Sequence, residues 1–217
     1  MLKDNLLLDS ARPFSDDEQL VNDLGRSENK ISGVPDSCPD PGGSGYMWHV
    51  LRVSYSRELK VQDALCNKGV RTFVPMIWKR KDVAGKTRKI LVPAVNNLCF
   101  AFSDRASLEE FIRGYGDNSP VHFYWERASR RPMVVPAKQM EDFIKVSSSL
   151  DEDLIYLTAI SPKLREGQKV KVKSGAFSGI EGHIVRIRKS RRIMVELPGM
   201  LAVATTYVRP EEVEVIE

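Results

Sequence analysis

Residues 164–184 read LREGQKVKVKSGAFSGIEGHI, and this stretch decides the fold of the C-terminal part of the chain. Val170 and Val172 alternate with lysines, which is the two-residue period of a strand with one buried face. Ser174-Gly175 then supplies a tight turn, because glycine adopts positive φ at little steric cost. Phe177 is a large apolar side chain between small residues, and two later glycines allow a close backbone approach. The pattern predicts a strand, a glycine turn and a second strand.

Composition divides the 217 residues into four segments. Residues 1–45 carry four basic and nine acidic side chains and end in a stretch rich in glycine and proline, so we predict a disordered acidic leader. Residues 46–147 show strand and helix patterns in the order β-α-β-β-α-β-α, typical of an α/β sandwich with a mostly antiparallel sheet. Residues 148–163 are polar and are predicted to be a linker. Residues 164–217 fit one small β-barrel, which closes its own sheet edges.

The third strand of the predicted α/β domain has an alternating pattern that separates two faces. Large apolar residues, Leu98 and Phe100 among them, occupy every second position of residues 97–102. We expect these large side chains to face the core, because successive residues of a strand point to opposite sides. Asn97 and Cys99 would then belong to the other surface of the sheet.

Four stretches of the chain resemble a known family. Residues 164–184 resemble the KOW motif, the core of a small SH3-like β-barrel. The first domain resembles the N-terminal domain of the NusG-like family of transcription elongation factors, through MWHVLRV at 47–53, VRTFVP at 70–75 and RPMVVP at 131–136. The family commonly has a Phe-Pro-Gly-Tyr turn before its third strand, whereas this chain has VPAVNNLCFAF at 92–102. That departure indicates a specialised paralogue, similar to the UpxY-type antiterminators of capsular polysaccharide operons.

The resemblance implies an α+β fold: a NusG-like α/β sandwich with an antiparallel sheet, a linker, and an SH3-like KOW barrel. It also implies a cytoplasmic transcription antitermination or elongation factor that binds RNA polymerase through residues 46–147 and contacts the nucleic acid of the elongation complex. In this family the barrel recruits a second partner, a ribosomal protein or a termination factor. KOW barrels also occur in ribosome-associated RNA-binding proteins, which is the alternative function. The α/β domain argues against that alternative, because a ribosomal KOW protein has no need of it.

The family's polymerase-contact surface, carried over to matching positions, points to Arg52 on the first strand and to Asn97 and Cys99 on the third. The alternation of the two strands is expected to place all three on the surface opposite the Leu98 and Phe100 core. Phe123 and Trp125 of the fourth strand are predicted to extend the same surface. A small, partly apolar groove of this kind suits a partner helix. Core packing is the alternative reading of the aromatic residues in the fourth strand.

A charged hairpin is predicted at residues 79–89, where six cations accompany a single anion, Asp82. The cations are Lys79, Arg80, Lys81, Lys86, Arg88 and Lys89. Phosphate contacts require mobile cations and no reading of bases, so these six residues are the candidates for binding upstream DNA, and polymerase is the other partner they could contact. A solvated hairpin without a partner is the alternative. A second basic turn at residues 189–192 is expected to be an ordinary polar hairpin.

The sequence carries no pattern of catalysis, of a metal site or of a membrane span. No phosphate-binding glycine loop, nucleophile elbow or HExxH motif occurs, so we predict no enzyme and no cofactor. The three histidines and three cysteines lack metal-ligand spacing and favour neither a zinc site nor a disulfide framework. No run approaches the roughly 18 apolar residues that a membrane helix needs. The net charge of +4 fits nucleic-acid surroundings but indicates them only weakly.

Overall fold

The computed structural model describes residues 45–83, 86–126, 128–158, 167–187, 189–197 and 199–216. Apart from Gly45, the predicted leader lies outside the described residues. Among the residues described, no helix is long and apolar enough to cross a membrane. The secondary structure is mixed, with antiparallel sheets and few helices, which confirms the predicted fold class.

The described residues of the N-terminal part form seven strands and three α-helices. The strands are β1 (Met47–Val53), β2 (Arg71–Phe73), β3 (Met76–Val83), β4 (Lys86–Pro93), β5 (Leu98–Ser103), β6 (Val121–Phe123) and β7 (Val134–Val135). The helices are α1 (Glu58–Cys66), α2 (Arg105–Arg113) and α3 (Ala137–Ser147), with a short 3₁₀ helix at Gly116–Asn118. One five-stranded sheet has the order β2-β5-β1-β6, with β7 also paired to β1, and β3 and β4 form a separate hairpin.

The central part of the five-stranded sheet is buried on both faces. Leu51 of β1 and Cys99 of β5 lie opposite each other and pack with α1 and α2 on one face. Trp48 and Phe100 belong to a second cluster, on the other face, together with residues of α3 and of the C-terminal strands. The central strands are therefore apolar on both sides, which explains the nearly continuous apolar run of β1.

The C-terminal part is an antiparallel six-stranded sheet in the order β13-β9-β10-β11-β12-β8. Its strands are β8 (Ile155–Leu157), β9 (Lys169–Val172), β10 (Glu181–Ile187), β11 (Ser190–Leu197), β12 (Leu201–Ala204) and β13 (Val213–Val215), with a 3₁₀ helix at Pro210–Glu212. This sheet is consistent with the predicted KOW barrel. Gly182 of β10 lies where a Cβ atom would come 2.5 Å from the carbonyl oxygen of Met194, so only glycine fits the close approach. Strand β8 falls within the segment predicted to be a linker and pairs with β12.

Helix α3 lies between the two sheets. The ring of Phe143 is 6.2 Å from Phe73 and 5.9 Å from Phe100 on one side, and 6.3 Å from Tyr156 of β8 on the other, measured between centroids. On the same helix, Lys138 donates a hydrogen bond to the carbonyl oxygen of Gly179 (3.2 Å). Apolar contacts and hydrogen bonds from one helix thus join the α/β sheet to the C-terminal sheet.

Candidate functional site

The predicted polymerase-contact residues fall on both faces of the α/β sheet and do not form a single surface. Arg52 is exposed and lies opposite Leu98 of β5 and His122 of β6. Directly opposed residues of an antiparallel pair share a face, so Arg52 belongs to the Leu98 face. Cys99 points to the opposite side of the sheet. The expectation that Arg52 and Cys99 share a surface is therefore wrong, because the register pairs Arg52 with Leu98.

Cys99 and Phe123 lie in the core under helices α1 and α2. Both are Cα partners of Leu51, one on each side of it, and Cys99 is fully buried. Burial raises the pKa of the Cys99 thiol far above its ordinary value, so the group stays protonated and unreactive. Phe123 is 9% exposed, and its ring lies 5.7 Å from that of His49 in an edge-on arrangement. Neither side chain is accessible to a partner in this structure.

Asn97 occupies the turn between β4 and β5 in a left-handed conformation, with φ of 63°. Its backbone N–H donates a hydrogen bond of 2.6 Å to the carboxylate of Glu58, which is 2% exposed. Its carbonyl oxygen accepts a hydrogen bond of 3.1 Å from the N–H of Val53. The turn is thus fixed from both sides, while the Asn97 side chain is exposed. The sequence did not indicate Glu58, because a buried acid at a helix start looks like an ordinary favourable charge near the helix dipole.

Trp125 is the most exposed of the predicted polymerase-contact aromatics, at 52%. It follows β6 and forms an isolated bridge with Pro132, which turns the chain back toward β7. Tyr124 and Val134, exposed by 38% and 44%, belong to the same connection. This connection is therefore an accessible apolar region. Alternation along β6 does not indicate its exposure, because Trp125 lies beyond the regular strand.

The β3–β4 hairpin exposes all six of the predicted DNA-binding cations and divides them between two faces. Lys81 is directly opposite Arg88, and Arg80 is directly opposite Lys89. We define the open face of the hairpin by Lys79, Lys81, Lys86 and Arg88, and the tethered face by Arg80 and Lys89. This division follows from the register, because opposed residues share a face and neighbours along a strand do not.

An anion lies beside the tethered face. Lys89 donates a short hydrogen bond to the Glu152 carboxylate. This bond, with the charges of Lys89 and Arg80, holds the pKa of Glu152 below its usual range. Within the described part of the chain, no ion pair includes a cation of the open face. The open face therefore presents an uncompensated positive charge, whereas part of the tethered face is already neutralised.

The second basic turn joins β10 to β11, as the sequence predicts. Arg186 lies directly opposite Arg191, and Lys189 occupies the turn with φ of 67°. Arg192 differs from these exposed cations. Its guanidinium donates hydrogen bonds of 2.6 Å to the carbonyl oxygen of Asp153 and 2.8 Å to that of Thr205. Arg192 is therefore a structural residue of the C-terminal sheet.

Metal-ligating and acid–base groups are not assembled in the described residues. Groups of three or more histidine, cysteine, aspartate or glutamate side chains that could hold a metal ion do not occur there. A cavity of about 290 Å³ between α3 and β10 is lined by charged side chains, but Asp142 is paired with Lys138 at 2.6 Å and Glu181 with Lys169 at 3.7 Å. Asp142 also accepts a hydrogen bond of 3.3 Å from the backbone N–H of Glu181, which joins α3 to the sheet. What the arrangement offers is binding surface, through exposed cations and exposed aromatic side chains.

Comparison with known proteins supports the resemblance over the first domain. Residues 46–144 match a family model described as the transcription termination factor NusG. This match covers β1 to β7 and most of α3, slightly less than half of the chain. No curated protein matches the chain at a significant level. The solved structure described as "Domain interaction in Thermotoga maritima NusG" is similar, with 18% identity, coverage of 79% of this chain and 98% of that one, and a TM-score of 0.42.

Proposed function

We propose that the protein is a NusG-type transcription factor that binds elongating RNA polymerase and acts in elongation or antitermination. The observation that carries this proposal is the match of residues 46–144 to the NusG family model. Within this segment, β1 and β5 pair along most of their length, and the face that carries Leu51 and Cys99 is buried by α1 and α2. The departure from the family turn at residues 92–102 favours a specialised antiterminator of the UpxY type, acting on a polysaccharide operon.

Polymerase contact is assigned to the accessible members of the predicted set, Arg52, Asn97 and Trp125. Arg52 and Asn97 lie close together, because Val53, the neighbour of Arg52, donates a hydrogen bond to the carbonyl oxygen of Asn97. Exposed arginine and tryptophan are the residue types most often found at the energetic centre of interfaces. Cys99 and Phe123 pack on Leu51 on the other face of the sheet and support this surface through the strands.

Nucleic-acid contact is assigned to the β3–β4 hairpin, chiefly to its open face. The four cations there are exposed and meet no anion among the described residues. Phosphate binding through such side chains is independent of sequence and strongly dependent on salt. The hairpin would thus hold the DNA of an elongation complex without reading its bases. The C-terminal sheet would recruit a ribosomal protein or a termination factor, and no step of this function requires an enzyme, a metal or a cofactor.

Affinity purification tests the proposal most directly. The tagged full chain is expected to retain RNA polymerase subunits from a lysate of its own organism, in the cytoplasmic fraction. The variant R52E/W125A should lose them, because an unpaired charge buried at an interface costs on the order of 2–5 kcal/mol, at least roughly 30-fold in affinity. The control is R209E/Y207A, which likewise replaces an exposed arginine by glutamate and an exposed aromatic residue by alanine, but in the C-terminal part.

Two outcomes would contradict this assignment. Recovery of ribosomal subunits in place of polymerase would support the alternative, a ribosome-associated KOW protein that binds RNA. Retention of polymerase by R52E/W125A, with the same yield as the control, would place the polymerase-binding surface elsewhere on the domain.

A further inference from the structure

The β10–β11 hairpin carries positive charge that the fold does not use. Arg186, Lys189 and Arg191 are all exposed, and the printed sequence places them within six positions of one another. Within the residues that the structure describes, none of the three takes part in an ion pair. Arg186 and Arg191 are directly opposed across the two strands. Like charges in that position destabilise a sheet, so the arrangement has no structural benefit of its own.

Other cations of the same sheet are compensated. Arg192, the neighbour of Arg191, is held by two backbone carbonyl oxygens. Lys169 of β9 lies 3.7 Å from Glu181. Lys171 has acidic Cα partners on both sides, Glu181 and Glu214. Among the cations of the described strands of this sheet, Arg186 and Arg191 alone are uncompensated, and Lys189 in the turn adds a third charge beside them. A local surplus of this kind is typical of a site for an external anion.

We propose that the β10–β11 hairpin is a second nucleic-acid contact, which binds the phosphate backbone through Arg186, Lys189 and Arg191. The proposal rests on the proposed function for its setting, because the nucleic acid in question is that of the elongation complex. Two opposed guanidinium groups can each donate two hydrogen bonds to a phosphate, and a phosphate between them removes their mutual repulsion. The contact would be independent of base sequence, as phosphate contacts are.

The two basic hairpins of the protein are tied to consecutive residues. Lys89, midway along β4, pairs with Glu152. Arg192 of β11 donates to the carbonyl oxygen of Asp153. Because both hairpins contact this short segment, we expect one nucleic acid to meet both. Their contributions to binding should then appear together on a single ligand.

The test is a salt titration of binding to a fluorescein-labelled duplex of 30 base pairs, followed by anisotropy with the full chain. The wild-type protein is expected to bind with a steep dependence on salt between 50 and 300 mM. The variant R186Q/K189Q/R191Q should reduce the slope of log affinity against log salt by up to about 2.7, since each phosphate contact contributes about 0.9. The matched control, K60Q/K68Q/R113Q, removes three exposed cations outside both hairpins and should leave the slope nearly unchanged.

An unchanged slope in R186Q/K189Q/R191Q would overturn the inference, as would an equal loss in the control or a wild-type chain that fails to bind the duplex at 50 mM salt. Retention of polymerase by the same variant is a separate measurement. Loss of duplex binding with polymerase retained supports the inference together with the proposed function. Duplex binding by a wild-type chain that retains no polymerase would remove the proposed function and leave the phosphate site in place.

Discussion

Substitution of the open face of the β3–β4 hairpin tests whether this surface contacts DNA. The variant K79Q/K81Q/K86Q/R88Q removes four exposed cations that have no ion pair among the described residues. If each meets one phosphate, the slope of log affinity against log salt should fall by up to about 3.6, at about 0.9 per contact. Folding should not suffer, because the change also removes the like-charge pair of Lys81 and Arg88.

The tethered face provides the internal comparison. The variant R80Q/K89Q removes the remaining two cations, and its effect per charge should be smaller because Glu152 already neutralises Lys89. The variant Glu152→Gln makes the reciprocal change. It releases Lys89 and should steepen the dependence of affinity on salt. Both variants leave the open face intact, so differences among the three report on which cations are free to bind phosphate.

The assay is a salt titration of binding to a DNA-containing elongation complex, with an isolated clamp fragment of polymerase as the second ligand. Binding to the fragment should be nearly unaffected in all three variants. The reasoning would be refuted if K79Q/K81Q/K86Q/R88Q left the slope on the elongation complex unchanged, since the hairpin would then be a solvated loop. A parallel loss on the clamp fragment would mean that the hairpin touches protein instead of DNA.

Three further predictions concern stability, each measured by urea unfolding followed by circular dichroism. Phe143→Ala should lower the free energy of unfolding by about 3–5 kcal/mol and affect both sheets in one transition, whereas Phe111→Ala, in the other core cluster, serves as the control for a loss confined to the α/β domain. Burial, and then the charge of Arg105, lowers the pKa of His49. At low pH the unfolded chain therefore binds a proton on His49 more readily than the folded chain does. Stability should be constant above about pH 6.5 and fall below it by at most about 1.4 kcal/mol per pH unit, and His49→Phe should abolish that dependence. Asn97→Gly should stabilise slightly, because glycine adopts a φ of 63° without strain, and a loss of stability would show that the Asn97 side chain contributes to the turn.

Much of the fold was predictable from local patterns. The alternation in β9, the glycine turn after Val172 and the basic hairpin all depend on residues close together in the sequence, and the structure shows each of them. Strand β8 was missed because Ile155-Tyr156-Leu157 is too short to be recognised alone. It forms a strand because it pairs with the edge of β12, and nothing within residues 148–163 indicates that this edge is present.

The candidate site was harder, because alternation separates two faces of a strand without showing what covers each of them. Leu98 and Cys99 point to opposite sides of β5, and both sides are buried, one by α3 and the C-terminal strands and the other by α1 and α2. Those covering elements are distant in sequence. The register that joins Arg52 to Leu98 also depends on long-range pairing. The two-residue period does, however, predict how the cations of the basic hairpin divide between its two faces, because Lys79 and Lys81 alternate with Arg80.

Like-charge pairs across strands distinguish a binding surface from a merely polar one. The described strands contain three of them: Arg80 with Lys89, Lys81 with Arg88, and Arg186 with Arg191. Solubility alone would be served equally well by mixed charges, which attract each other across a ladder where like charges repel. Glu152 relieves the repulsion within the first pair, because its carboxylate occupies a position beside Lys89 that a phosphate could otherwise take. The other two have no such relief within the described chain. An external polyanion that met both would lower the energy of the folded protein at two sites at once, so the repulsion stored in the free protein favours binding.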